Sequence, residues 1–131
     1  MVNWFFCVIN AMITAKENVK IVQKSWGQEI WMANNEKENY CGKILEILPG
    51  NSTSLHFHAL KHETFYVLEG CLQVNTVNTQ TTEVTENYIE EGESFSLNRL
   101  IPHKLIAGDN LVKFVEISTH HKGEDSYRVI R

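Results

Sequence analysis

Residues 50–70 read GNSTSLHFHALKHETFYVLEG and concentrate side chains that can bind a metal ion. His56, His58, His62 and Glu63 fall within eight consecutive positions, in a segment otherwise rich in strand-forming residues. Side chains two apart in a strand lie on the same face, so His56 and His58 should project together. A hairpin-like return of the chain would bring Glu63 beside these imidazoles. His103, in IPHKL at the start of a later strand, could provide a third imidazole.

Two or three imidazoles and one carboxylate suit a divalent transition metal. Neutral imidazole supplies a lone pair, and the carboxylate offsets part of the positive charge. Four protein ligands leave open positions on an octahedral ion, as catalysis requires. We therefore predict one divalent metal ion bound by His56, His58, Glu63 and His103. Zinc, manganese, iron and nickel all remain open as its identity.

The other three histidines are weaker candidates for ligands. His62 is adjacent to Glu63, so in a strand it should point to the opposite face. His120 and His121 lie in STHHKGEDS near the carboxyl end, and we expect solvated loop residues there, one of which could reach the mouth of a pocket. Backbone carbonyls commonly satisfy a lone histidine on a half-buried strand. The prediction of a metal site therefore depends on the spacing of His56, His58, Glu63 and His103 taken together.

The elements that must position these residues read as short strands. Apolar runs of four to six residues alternate with turns rich in Gly, Pro and Asn, at the spacing typical of an all-β sandwich or barrel. After residue 20 no long stretch has helical periodicity, whereas residues 9–20 could form one short helix. We predict a single antiparallel β domain over residues 21–131, preceded by an arm over residues 1–20 that forms a strand or short helix.

Charge and composition narrow the partners. A net charge of -4 argues against nucleic acid, because phosphate binding needs a surplus of Lys and Arg. The apolar start MVNWFFCVINAMI is too short to span a bilayer, which takes roughly 20 residues. Three widely spaced cysteines, an odd number, indicate free thiols in a reducing, cytoplasmic compartment. The arm and the exposed strand edges predict a homodimer, since an unpaired edge invites strand addition.

The central segment resembles the cupin superfamily. Gly50, His56, His58, Glu63 and Gly70 reproduce every position and gap of the first cupin motif. The stretch from Gly92 to His103 has the spacing of the second motif but departs from it in chemistry, with Asn98 in place of proline, Leu100 in place of glycine and, beyond it, Ala107 in place of asparagine. The resemblance implies a single-domain cupin jelly roll, or double-stranded β-helix barrel, with the four metal ligands named above.

Three segments outside the motifs resemble the type II mannose-6-phosphate isomerase domain. They are KSWGQEIWM (24–32), YCGKILEILPGNSTSLHFH (40–58) and FVEISTHHKGEDSYRV (114–129), in that order. His56 departs from the glutamine usual in those enzymes. The resemblance implies metal-dependent aldose–ketose isomerisation of a sugar or sugar phosphate. A three-His, one-Glu iron dioxygenase and a non-catalytic sugar-binding cupin are the alternatives.

Isomerisation needs a base as well as a metal, because a proton next to the carbonyl must be removed and returned. Lys43, Glu46, His62 and Tyr66 are candidates that the sequence does not separate. Lys43 should share a strand face with Leu45 and Ile47. Phosphate contacts would come from guanidinium groups, for which Arg99 and Arg128 are the candidates.

Overall fold

The computed structural model describes residues 11–129, which form eleven strands and two short 3₁₀ helices. The helices are Lys16–Asn18 and Gly123–Asp125. The strands are β1 (Lys20–Lys24), β2 (Gly27–Asn35), β3 (Tyr40–Ile47), β4 (His56–Phe57), β5 (Glu63–Glu69), β6 (Leu72–Val77), β7 (Val84–Ile89), β8 (Ser94–Leu97), β9 (His103–Ala107), β10 (Val112–Ser118) and β11 (Tyr127–Arg128).

The strands form two antiparallel sheets. One has the order β1-β2-β3-β10-β5-β8 and the other the order β11-β4-β9-β6-β7. Neighbours in each sheet are often distant in sequence, as in a jelly roll, where the chain crosses between two sheets. The predicted all-β, single-domain class is confirmed.

Inward-facing side chains on β3, β5 and β10 divide the interior into two ends. The strands alternate buried and less buried residues, as expected for sheets with one face inside. At one end these side chains are apolar: Leu45, Ile47, Phe65, Val67, Val112 and Phe114. At the other end they are mostly polar: Cys41, Lys43, Glu63, Glu116 and Ser118. The apolar end contributes the core, and the polar end is available for chemistry.

The start of the chain differs from its prediction. Of the helix expected over residues 9–20, only Lys16–Asn18 form a single 3₁₀ turn, and residues 9 and 10 lie outside the described part. None of the residues in that turn is buried, so no packed face stabilises a longer helix. The rest of the predicted arm that is described, residues 11–15, has no regular secondary structure.

In the described residues, 11–129, there is no helix with the length and apolar character needed to cross a membrane. The homodimer and the cytoplasmic location stay predictions.

Gly50 and Gly70, the first and last residues of the first motif, both have a backbone conformation that favours glycine, and Gly70 also has no room for a side chain. Gly50 and Gly70 have φ of 72° and 82°, in the left-handed region that favours glycine. A Cβ at Gly70 would also lie 2.5 Å from the Leu111 carbonyl oxygen, whereas nothing lies within 4 Å of one at Gly50.

We predict that Gly70→Ala lowers the free energy of unfolding by about 3 kcal/mol and Gly50→Ala by about 1 kcal/mol, because only the first adds a backbone clash to the φ strain. Urea denaturation measures both. Gly108→Ala, with open space around its Cβ, is the control and should change stability by less than about 0.5 kcal/mol. Equal losses at Gly50 and Gly70 would contradict this explanation.

Candidate metal centre

Three histidines meet in the interior because of strand register. His56 on β4 lies directly opposite His103 on β9, and their ring centroids are 4.5 Å apart. His58 follows β4, two residues after His56, so its ring projects to the same side, 5.0 Å from that of His56. One nitrogen from each ring lies within 4.8 Å of the other two. The structure therefore brings together the three predicted imidazole ligands.

The hydrogen bonds of these rings fix where their lone pairs point. Each Nδ1 contacts a backbone carbonyl oxygen, which can only accept, so each Nδ1 carries the proton in the neutral ring. The partners of His56, His58 and His103 are the oxygens of Ser54, Asp125 and Ile101, at 2.8, 3.0 and 2.9 Å. Each Nε2 is left with a free lone pair. Such carbonyl partners commonly orient metal-binding histidines.

Burial keeps two of these rings uncharged. It lowers the pKa of His56 to about 4, helped by the nearby His103 ring. Burial also lowers the pKa of His58, although the Glu63 carboxylate opposes this. A neutral imidazole is the form that binds a metal, so both rings are ready as ligands near neutral pH.

Glu63 faces two of these rings from the opposite sheet, at the start of β5. Its side chain is 2% exposed, and its Oε1 lies 3.2 Å from His103 Nε2 and 3.8 Å from His58 Nε2. Oε1 is a buried oxygen without a hydrogen-bond partner among the described residues. Burial acts to raise the pKa of Glu63, but a hydrogen bond that the protonated form of the His103 ring donates, together with the Lys61 ammonium, holds it well below its usual value. The carboxylate is therefore ionised.

These four side chains fit a divalent cation. An ionised oxygen and imidazole nitrogens with free lone pairs are all electron donors that face one another in a buried space. Only an electropositive species among them can satisfy all four, and nitrogen and oxygen ligands suit zinc, manganese, iron or nickel. The structure groups His56, His58 and His103, and Glu63 faces two of these rings, so the predicted set of four stays a candidate ligand set.

A buried lysine that the sequence reasoning missed compensates the carboxylates. Lys61 is 4% exposed, and its Nζ lies 2.8 Å from Glu116 Oε2 and 3.5 Å from Glu63 Oε2. Burial acts to lower the pKa of Lys61, but Glu116 and Glu63 raise it above its ordinary value, so the ammonium persists. Alternation could have revealed it, because Lys61 precedes Glu63 by two positions and so faces the same side.

Asp125 holds the segment that connects His58 to Glu63. Its carboxylate accepts the backbone N–H groups of Ala59, Leu60 and Lys61, at 3.0–3.3 Å. Its backbone oxygen accepts the Nδ1–H of His58. Asp125 thus fixes both a ligand ring and the turn that leads to Glu63.

A cavity of about 500 Å³ opens beside the metal ligands, a volume typical of small-molecule sites. Its walls include the metal ligands, the charged residues Lys61, Glu116 and Glu29, and the aromatic rings of Trp26 and Trp31. His121 also lines it, so one of the two late histidines does reach the cavity.

Of the predicted catalytic residues, Lys43 lines this cavity. Its side chain is 2% exposed, with Nζ 3.6 Å from Glu29 Oε1 and 4.0 Å from the centre of the Trp31 ring. Burial lowers the pKa of Lys43, against the opposing effect of Glu116 and Glu29. Alternation on β3 places it on the inner face with Leu45 and Ile47.

The other three catalytic candidates do not line the cavity. Glu46 lies on the outer face of β3, where it contacts Gln28 and Lys113. Tyr66 follows an inward-facing residue on β5 and is 42% exposed. The His62 ring contacts Asn98, 3.3 Å away, on the outside. Each of the three is next in the chain to a residue that faces inward. Because neighbouring side chains in an extended strand point to opposite faces, each points away from the cavity.

The two predicted phosphate-binding arginines are also separated. Arg128, on β11 directly opposite His56, lines the cavity together with Lys24. Arg99 instead donates from its Nε to the Leu60 carbonyl oxygen, at 2.7 Å, and does not line the cavity.

Comparison with known proteins agrees with the fold. The family model described as Cupin matches residues 30–129. The chain belongs to the cupin family. No curated protein matches this cupin.

Solved structures share the fold at low sequence identity. The capsular polysaccharide assembling protein CapF from Staphylococcus aureus superposes with a TM-score of 0.76 at 16% identity, over 86% of this chain and 33% of that one. Oxalate decarboxylase from Bacillus subtilis gives 0.75 at 16% identity, over 86% of this chain and 30% of that one. The cupin described here thus spans about a third of the length of either structure.

We predict that the double variant His58→Ala/His103→Ala loses stoichiometric metal, because two of the four ligands are gone. Elemental analysis of the purified protein measures this, and circular dichroism should show that the β fold is retained. His62→Ala, which removes an imidazole outside the cluster, is the matched control and should keep full metal content. Full metal retention by the double variant would contradict the ligand assignment.

Proposed function

We propose that this cupin is a metal-dependent isomerase that interconverts the aldose and ketose forms of a sugar or sugar phosphate. The observation that carries the proposal is a single cavity in which the four metal-ligand side chains face buried acidic and basic groups. The metal-ligand side of the cavity can bind a substrate carbonyl, and the opposite wall holds groups that can move protons.

The lining favours a polyhydroxyl substrate. The cavity lining combines three carboxylates with four basic side chains, so acceptors and donors of hydrogen bonds lie side by side: Glu29, Glu63 and Glu116, and Lys24, Lys43, Lys61 and Arg128. A sugar offers hydroxyl groups that both donate and accept, and so it can pair with the lysines and the glutamates alike. The structural neighbours are a capsular polysaccharide assembling protein and an oxalate decarboxylase, so the shared fold does not determine the substrate class.

A divalent cation held by the four ligands would act as a Lewis acid toward the substrate carbonyl. The protein must then remove a proton from the neighbouring carbon and return it. We assign this transfer to Lys43, the predicted base that lines the cavity. Its lowered pKa brings the neutral amine closer to neutral pH, and Glu29 holds the amine in place.

A phosphate on the substrate would lie at the cavity edge formed by Lys24 and Arg128. Both side chains are exposed, so they can bind a charged group without its complete removal from water. Guanidinium binds phosphate through two parallel hydrogen bonds, which suits Arg128 for this role.

The proposal is tested by a screen of aldose phosphates and free aldoses under nitrogen, with protein loaded with manganese or zinc. Formation of the ketose, with exchange of the transferred proton for solvent deuterium, is the expected result. Oxygen consumption with ferrous iron, and no isomerisation, would overturn the proposal in favour of a dioxygenase.

We predict that Lys43→Met lowers kcat for the substrate found in this screen by about 100-fold or more, because proton transfer loses its base. Metal content should not change, since Lys43 is not a ligand. Lys113→Met, on the outer face of β10, is the matched control and should retain full activity. A Lys43→Met variant with kcat within about threefold of wild type would remove Lys43 from the mechanism.

A further inference from the structure

His121 is held rigidly at the cavity wall by its backbone. Its N–H donates to Asn34 Oδ1 at 2.9 Å, and its carbonyl oxygen accepts from Asn34 Nδ2 at 3.0 Å. Its ring and that of Trp31 are nearly perpendicular, with centroids 5.1 Å apart. This double backbone contact and the ring contact fix the imidazole before any ligand arrives.

The contact with Lys61 determines which ring nitrogen of His121 carries the proton. Lys61 Nζ lies 3.3 Å from His121 Nδ1, and an ammonium group has three donors and no acceptor. Its other two contacts are the carboxylates of Glu63 and Glu116, which keep it charged. Nδ1 of His121 must therefore accept, and the proton of the neutral ring is on Nε2.

This tautomer is opposite to that of the three metal-binding rings. His56, His58 and His103 carry the proton on Nδ1 and present a bare Nε2, whereas His121 presents an Nε2–H. Burial, with Lys43 and Lys61 nearby, lowers the pKa of His121 to about 3, so the ring stays neutral. Nε2 has no hydrogen-bond partner within residues 11–129, which leaves its N–H available to a ligand.

We infer that His121 is a substrate-binding residue that donates its Nε2–H to a carbonyl or hydroxyl oxygen of a hydroxycarbonyl ligand. The inference rests on the proposed function in its choice of ligand class. His121 lines the same cavity as the candidate metal ligands, and Lys61 Nζ contacts both the Glu63 carboxylate and His121 Nδ1. A fixed neutral donor in the cavity wall can bind a ligand oxygen without reorganisation of the protein.

The tautomer is measured first, on zinc-loaded wild-type protein with isotope-labelled histidine nitrogens. Long-range proton–nitrogen spectra distinguish a protonated from a bare ring nitrogen. We expect His121, assigned by the signals missing in His121→Gln, to carry its proton on Nε2, opposite to His56, His58 and His103. A proton on Nδ1 of His121 would overturn the inference.

Ligand binding is measured next, with acetohydroxamate as a probe that places two adjacent oxygens like a hydroxycarbonyl. Calorimetric titration of zinc-loaded His121→Phe should show binding about tenfold weaker than wild type, because the aromatic ring is kept and the donor is lost. His121→Gln keeps a donor and should bind within about threefold of wild type. His120→Phe, next in the chain but outside the cavity, is the control and should bind like wild type.

Wild-type affinity in His121→Phe would overturn the inference. Equal weakening in His121→Phe and His121→Gln would also overturn it, because packing and not the donor would then be responsible. Neither measurement needs turnover. A negative isomerase screen therefore overturns the proposed function alone, and a failed tautomer or binding result overturns this inference alone.

Discussion

The interior of this cupin is organised around the buried carboxylate of Glu63. A carboxylate that is 2% exposed must have both oxygens compensated, because an unpaired buried charge is strongly destabilising. Oε2 faces the Lys61 ammonium, whereas Oε1 has no hydrogen-bond partner among the described residues and would be compensated by a cation held between it and the imidazoles of His58 and His103. Lys61 in turn contacts Glu116 and His121. The buried charge of Glu63 thus connects the candidate metal ligands, the ion pair with Lys61 and the contact of Lys61 with His121.

The same strands that bury these charges also contribute the stability that offsets their cost. On β3, β5 and β10 the inward-facing positions change from apolar side chains at one end to polar ones at the other. The apolar end includes Phe65 and Phe114, whose rings meet edge to face with centroids 5.5 Å apart. Burial of this core contributes roughly 25 cal/mol per Å² of apolar surface, which allows a charged, less stable end on the same sheets.

Local rules predicted much of this arrangement, and long-range contacts account for the rest. The spacing of His56, His58 and Glu63 and the alternation of short strands predicted the β fold and the ligands that converge. Alternation alone would have turned Glu46 and Tyr66 outward and Lys61 inward. No local rule reveals His121, whose place depends on a pair with Asn34, 87 residues away. Of the short helix that residues 9–20 could form, the described part contains only the turn Lys16–Asn18, because a local pattern does not show whether a face has anything to pack against.

X-ray absorption at the zinc edge of the loaded protein measures directly which atoms bind the cation. We predict a first shell of nitrogen and oxygen atoms at about 2.0–2.2 Å, with multiple scattering from three imidazoles. A sulfur neighbour at about 2.3 Å, or fewer than three imidazoles, would contradict convergence of His56, His58, Glu63 and His103 on one cation.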